Sequence, residues 1–226
     1  MISDVVSKYE AFQQDIARLA GNDGTFDNFI DGKWVGGTAN RRLSVINPAR
    51  KSAFASVPDS SDADVEAAVA AARRQLEGGE WSRLSGAARG KLMQKLADLV
   101  ERDAALIGKM DAISIGRPFT ETQILDLPNA VDTLRYFAGW ADKIAGACIP
   151  TGGYFGQPTH SYTVREPVGV VGAIVPWNTP FMITLWKIAP ALAAGCTIVL
   201  KPAEETPLSA LYLASLAIEA GFPGAC

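Results

Sequence analysis

Apolar positions along this chain change period several times, and each change marks an element. Val5, Tyr9, Phe12, Ile16 and Leu19 recur at helical spacing and predict a first amphipathic helix. Residues Phe29 to Val35 read as a hairpin with a tight turn at Asp31-Gly32. A second strand pair is expected between Ser44 and Val57, turning at Asn47-Pro48. Ser61 then caps a helix with Asp62 and Asp64 in its first turn, where acids meet the positive helix end. Its expected buried stripe is Val65, Ala68, Val69, Ala72 and Leu76, and Gly78-Gly79 ends it. Ser85 caps the next helix, with Ala88, Leu92, Leu96, Leu99 and Val100 facing inward. A further helix runs to about Ile115 and breaks at Gly116-Arg117-Pro118. Ala130, Leu134, Phe137, Ala141 and Ile144 predict a longer one reaching about Ala145.

The stretch from Cys148 to Glu166 has no helical period. It is rich in Gly, Pro, Thr and Tyr, and Ser161 to Arg165 alternates like a strand, so it is expected to project as a β-hairpin. The last third is the most regular. Val168 to Val175 and Thr197 to Leu200 read as buried strands. Phe181 to Ala194 and Leu208 to Ala220 read as helices, closed by Gly195 and Gly221. Thr206-Pro207 fits a cap followed by Pro at the first helical position. Strand, helix, strand, helix with short loops implies two parallel strands joined by a right-handed crossover. The fold class expected is α/β: an incomplete Rossmann-like parallel sheet with N-terminal helices, small hairpins and one projecting hairpin.

Composition narrows the function. The 226 residues are 48% hydrophobic and 20% charged, with net charge -3, and no basic stripe invites nucleic acid. The longest apolar stretch, Phe181 to Ala194, is interrupted by Lys187 and Pro190 and is too short to span a bilayer. Acidic and basic residues from Asp4 to Asp15 break any secretion-signal pattern. Three widely spaced cysteines do not form a disulfide framework, which favours a reducing, cytoplasmic setting. The single histidine, His160, excludes a His-rich metal site, so no metal is expected, and no nucleophile elbow or P-loop is present.

Ligands of open parallel sheets bind beyond the carboxyl ends of the strands. Two loops leave such ends here: Pro176 to Pro180, and Lys201 to Glu205. A ribose diol wants a carboxylate acceptor and a cationic donor, and Glu204 with Lys201 supplies both within one turn. Glu204 follows Asn178 by 26 residues, counted from 178 to 204, against the roughly 20-residue offset of ribose-binding acids in Rossmann domains. A carboxylate there repels a 2′-phosphate and favours NAD over NADP. No G-x-G-x-x-G is present; Gly169 and Gly172 lie inside the strand. On the residues alone, Asn178 reads first as a turn residue satisfying its own backbone. Lys201 reads as a solvated lysine or half of a surface ion pair, and Trp177 as packing.

The residues themselves resemble the aldehyde dehydrogenase superfamily. The run from Val168 to Pro223 carries Pro176-Trp177-Asn178 and Lys201-Pro202-Ala203-Glu204 in the family's order and spacing. The likeness extends upstream through Phe29 to Trp34, Asn47-Pro48, Asp64 to Ala72, and Leu134 to Trp140. The resemblance implies that Asn178 is the side-chain donor of the oxyanion hole, and that Lys201 and Glu204 contact the adenosine ribose. It implies that Ile174, Pro176 and Trp177 line the cofactor cleft. The chemistry implied is oxidation of an aldehyde to a carboxylic acid: a cysteine thiolate attacks, hydride passes to NAD, water hydrolyses the thioester, and a glutamate acts as base. The implied layout is a cofactor-binding domain over 1–147 and 167–226 and an oligomerisation hairpin over 148–166. The hairpin would build a homodimer or homotetramer. The family's nucleophilic cysteine and general base are expected beyond this chain, because Cys148, Cys196 and Cys226 do not fit the nucleophile's place. Residues 1–226 alone are therefore expected to be inactive. The alternative is a truncated, non-catalytic polypeptide that binds nucleotide weakly or pairs with a full-length subunit. Met182 and Trp186 suggest an apolar tunnel for aromatic or medium-chain aldehydes.

Overall fold

The computed structural model describes residues 24–224. The helix expected near residues 5–19, and Cys226, lie outside them. Two antiparallel hairpins open the described chain: β1 (Asn28–Ile30) with β2 (Lys33–Val35), and β3 (Arg42–Asn47) with β4 (Ser52–Pro58). Asp31 and Gly32 both take positive φ, 53° and 74°, as a two-residue turn matching the strand twist requires. Helix α1 (Asp62–Glu77) starts in a reciprocal capping box. The Ser61 amide donates to Asp64 Oδ2 at 2.8 Å, and the Asp64 amide donates back to Ser61 Oγ at 3.4 Å. The Ser61 amide is the main influence holding the Asp64 carboxyl below its ordinary range.

Helices α2 (Gly86–Arg102), α3 (Ala104–Ile115) and α4 (Leu127–Trp140) follow. A short helical turn and a wider π-helical turn, together 119–126, lead from α3 into α4. Next come the short ladder of β5 (Cys148–Ile149) and β6 (Ser161–Tyr162) and strand β7 (Val170–Ile174). Helix α5 (Pro180–Ala194), strand β8 (Thr197–Lys201) and helix α6 (Leu208–Ala220) complete the chain. Strands β7 and β8 are parallel, in register from Val170 opposite Thr197 to Ile174 opposite Lys201. This is the α/β arrangement expected, and among the described residues each strand has the other as its only partner.

The main core joins α2, α4, α5 and α6 through Met93, Leu96, Leu134, Phe181, Leu185 and Leu216. A smaller cluster packs the β3–β4 hairpin on α3 through Val45, Met110 and Leu208. Trp81, fully buried, locks the crossover. Its indole N–H lies 3.1 Å from the Gly195 carbonyl and 3.0 Å from that of Cys196, at the α5–β8 corner. Gly195 turns that corner at φ 88°, where a side chain would be strained.

Some expectations shift. Val65 is exposed and Ala71 is buried, so the inward face of α1 is rotated from the predicted stripe. Helix α4 ends at Trp140, and Ile144 is exposed beyond it. The projecting hairpin is present, but its ladder pairs only Cys148 with Tyr162 and Ile149 with Ser161. Strand β7 is not buried throughout: Ala173 is covered, while Ile174 and the preceding Val168 face outward. Besides pairing with β8, it packs against α1 and α5. Thr206 does not cap α6, because the helix opens one residue later at Pro207; the Thr206 hydroxyl is buried without a partner. No described helix is long and apolar enough to cross a membrane.

Candidate functional site

The carboxyl ends of β7 and β8 bring the two predicted loops side by side. Ile174 sits opposite Lys201 in the parallel register, and the Val175 amide donates to the Lys201 carbonyl at 3.0 Å. All six predicted site residues therefore cluster at one edge: Ile174, Pro176, Trp177 and Asn178 leaving β7, Lys201 and Glu204 leaving β8. Ile174 is 69% exposed and Trp177 56%, large apolar surfaces left open beside a polar loop. Exposed aromatics of this kind suit contact with a flat ligand better than a core role. Asn178 is exposed too, three residues before the buried Phe181.

On the second loop, Lys201 Nζ donates to Glu204 Oε1 at 2.9 Å and to the Pro202 carbonyl at 3.2 Å. Both side chains are more than half exposed. The lysine contact is the chief influence lowering the Glu204 pKa, so the group is an ionised acceptor at neutral pH. An exposed pair of this kind contributes little to stability. What it offers is a carboxylate and an ammonium held together, with hydrogen-bonding capacity left for a vicinal diol.

Lys201 and Glu204 also line a groove of about 570 Å³. It runs over the outer side of β8 between α1 and α6, past Val65, Ala68, Leu200, Ala214 and Ile218. Asn178 and Trp177 do not line this groove.

Helix α5 carries the residues expected near a substrate. Met182 is half-buried, and Trp186 is exposed with its indole N–H donating to Asn129 Oδ1 of α4 at 2.6 Å. Neither described cysteine is at the strand ends. Cys196 is buried at the opposite, amino-terminal end of β8, and Cys148 is exposed at the start of the hairpin. No cluster of three or more metal-ligating side chains occurs among the described residues.

Sequence reasoning overlooked Asp111. This carboxylate, 1% exposed, accepts the Phe181 amide at the start of α5 at 3.3 Å. The available signal was its isolation: apart from Lys109 it is the only charged residue in α3.

Comparison with known proteins identifies the family. The model of the aldehyde dehydrogenase family matches residues 34–225. A putative aldehyde dehydrogenase, DhaS, of Bacillus subtilis is 47% identical over 220 residues, covering 97% of this chain and 42% of that protein. Human retinal dehydrogenase 2 is 47% identical over 197 residues, 86% of this chain and 37% of its own length. The structure of a Bacillus cereus aldehyde dehydrogenase in complex with NAD+ superposes with a TM-score of 0.87 at 41% identity. That match covers 96% of this chain and 42% of the other. The chain thus spans about two fifths of the relatives it matches, and it belongs to the aldehyde dehydrogenase family.

Proposed function

We propose that residues 1–147 and 167–226 form the cofactor-binding part of a dehydrogenase that oxidises an aldehyde to a carboxylic acid with NAD. The observation that carries this reading is the register of β7 and β8. It sets Asn178 on one strand-end loop and the Lys201–Glu204 pair on the next.

In this reading Lys201 and the ionised Glu204 hold the adenosine ribose, and Ile174, Pro176 and Trp177 line the cleft on the β7 side. The anionic Glu204 selects against a phosphate on the ribose. NAD, when bound, supplies the hydride acceptor. The Asn178 carboxamide donates to the oxygen that gains negative charge as a thiolate adds to the aldehyde. That thiolate comes from outside the described residues, since Cys148 and Cys196 are placed elsewhere. Met182 and Trp186 on α5 favour apolar aldehydes. The hairpin at 148–166, exposed almost throughout, is an arm for pairing subunits into a homodimer or homotetramer. The unpaired thiols of Cys148 and Cys196 accord with a cytoplasmic setting.

The test is aldehyde-dependent NADH formation by the natural full-length protein against a panel of aromatic and aliphatic aldehydes. Turnover with NAD exceeding that with NADP supports the reading. No reduction of either dinucleotide with any aldehyde overturns it.

A further inference from the structure

Helix α5 begins with no cap of its own. Pro180 occupies the first position and has no N–H, and the Thr179 side chain makes no capping bond. The first amide that needs a partner is that of Phe181, and the Phe181 side chain is wholly buried. Asp111 meets this need from α3, 70 residues earlier, accepting the amide at 3.3 Å. The other end of the same loop is tied by the Val175 amide to the Lys201 carbonyl. Residues 176–179 are thus fixed at one end to the sheet and at the other to α3.

Asp111 is an expensive way to fill this space. It faces Arg117 and Asp126 from the segment between α3 and α4, the Ser209 hydroxyl of α6, and the positive end of α5. Arg117 is committed elsewhere, its Nε to Glu121 at 2.7 Å and its guanidinium to Asp126 at 2.6 Å. Burial pushes the Asp111 carboxyl up to about 7; Asp126 adds to the rise, while the Phe181 amide, Ser209 and Arg117 oppose it. An apolar side chain in the same position would cost the fold less. A buried acid aimed at one amide is understandable if that amide must be held in place.

The structure assigns Asp111 as a positioning residue: by capping α5 across the fold it holds the loop that presents Asn178. This rests on the dehydrogenase reading above. In the full-length protein, Asp111→Ala should lower kcat by roughly 10–100-fold, as small misplacements of catalytic groups do. KM for NAD should change less than about twofold, because Lys201 and Glu204 lie on the other loop. Asp111→Asn, equal in shape and still offering an oxygen to Phe181, should restore most of the rate. Three outcomes would each overturn the role: kcat unchanged in Asp111→Ala, a kcat loss matched by an equal rise in KM for NAD, or failure of the Asn variant to rescue. If the wild type oxidises no aldehyde, the dehydrogenase reading fails by itself. The cap is then decided by hydrogen exchange at the Phe181 amide. Exchange about tenfold faster in Asp111→Ala than in Asp111→Asn supports it; equal exchange refutes it.

Discussion

The two loops at the end of the parallel pair lie side by side but are held in different ways. Residues 176–179 are tied at both ends, through Val175 to the sheet and through Phe181 to a buried carboxylate on another helix. The loop after β8 is closed by Lys201 and Glu204, an exposed pair with water on most sides. A donor that stabilises developing charge works only if it is already in place, so rigidity matters at Asn178. A pair that grips a ribose can adjust its side chains as the ligand arrives. On the proposed reading the two loops differ in how they are tethered rather than in burial, and the loop tied at both ends would govern rate while the Lys201–Glu204 loop would govern cofactor choice.

The largest effect should come from the pinned loop. Asn178→Ala should lower kcat by roughly 10²–10³-fold if its amide serves the oxyanion, and a near-normal rate would remove it from the site. Next is the buried acid that pins it. The folded pKa of Asp111, about 7, lies above its unfolded value of about 3.9. The native state thus holds the extra proton between those values, and this group makes stability fall as pH rises from about 4 to about 7. Asp111→Asn should remove that slope and stabilise the fold near neutral pH by on the order of 2–4 kcal/mol. Denaturant unfolding at pH 5 and pH 8 reads it, and parallel slopes in both proteins would contradict the burial argument. On the solvated loop, Glu204→Gln should narrow the preference for NAD over NADP by about tenfold, the cost of one charged hydrogen bond; an unchanged ratio would sink the ribose contact. Smallest of all, Lys201→Ala should change stability by less than about 1 kcal/mol while weakening NAD binding, since the pair is exposed. A large loss of stability would show that the second loop is structural after all.

Local chemistry made much of the fold legible. Asp31-Gly32, Ser61 with Asp64, Gly116, Gly195 and Gly221 each have a conformational reason to sit where they do, and each marks its turn or helix end. The two strand-end loops were legible for a different reason, because parallel strands bring their carboxyl ends together whatever the loops contain; Ile174, Pro176, Trp177 and Asn178 were singled out within them by the family resemblance. What escaped depended on distant partners. The α1 stripe was misjudged at Val65 because nothing in the helix itself says which side its neighbours cover. Helix α4 stops at Trp140 although its spacing continues to Ile144: Ala141 still reaches the core, but Ile144 is exposed. Thr206 fits a cap by pattern, but Pro207 opens the helix instead. Asp111 was marked only by its isolation on α3, and its role stayed hidden because its partner is an amide 70 residues away.

The account turns on the two loops doing separable work, and one paired kinetic measurement tests that directly: kcat and KM for NAD in full-length Asn178→Ala and Glu204→Gln. The account predicts that Asn178→Ala loses kcat with KM for NAD nearly unchanged, and that Glu204→Gln raises KM for NAD with kcat nearly unchanged. Both substitutions moving the same parameter by similar factors would contradict it.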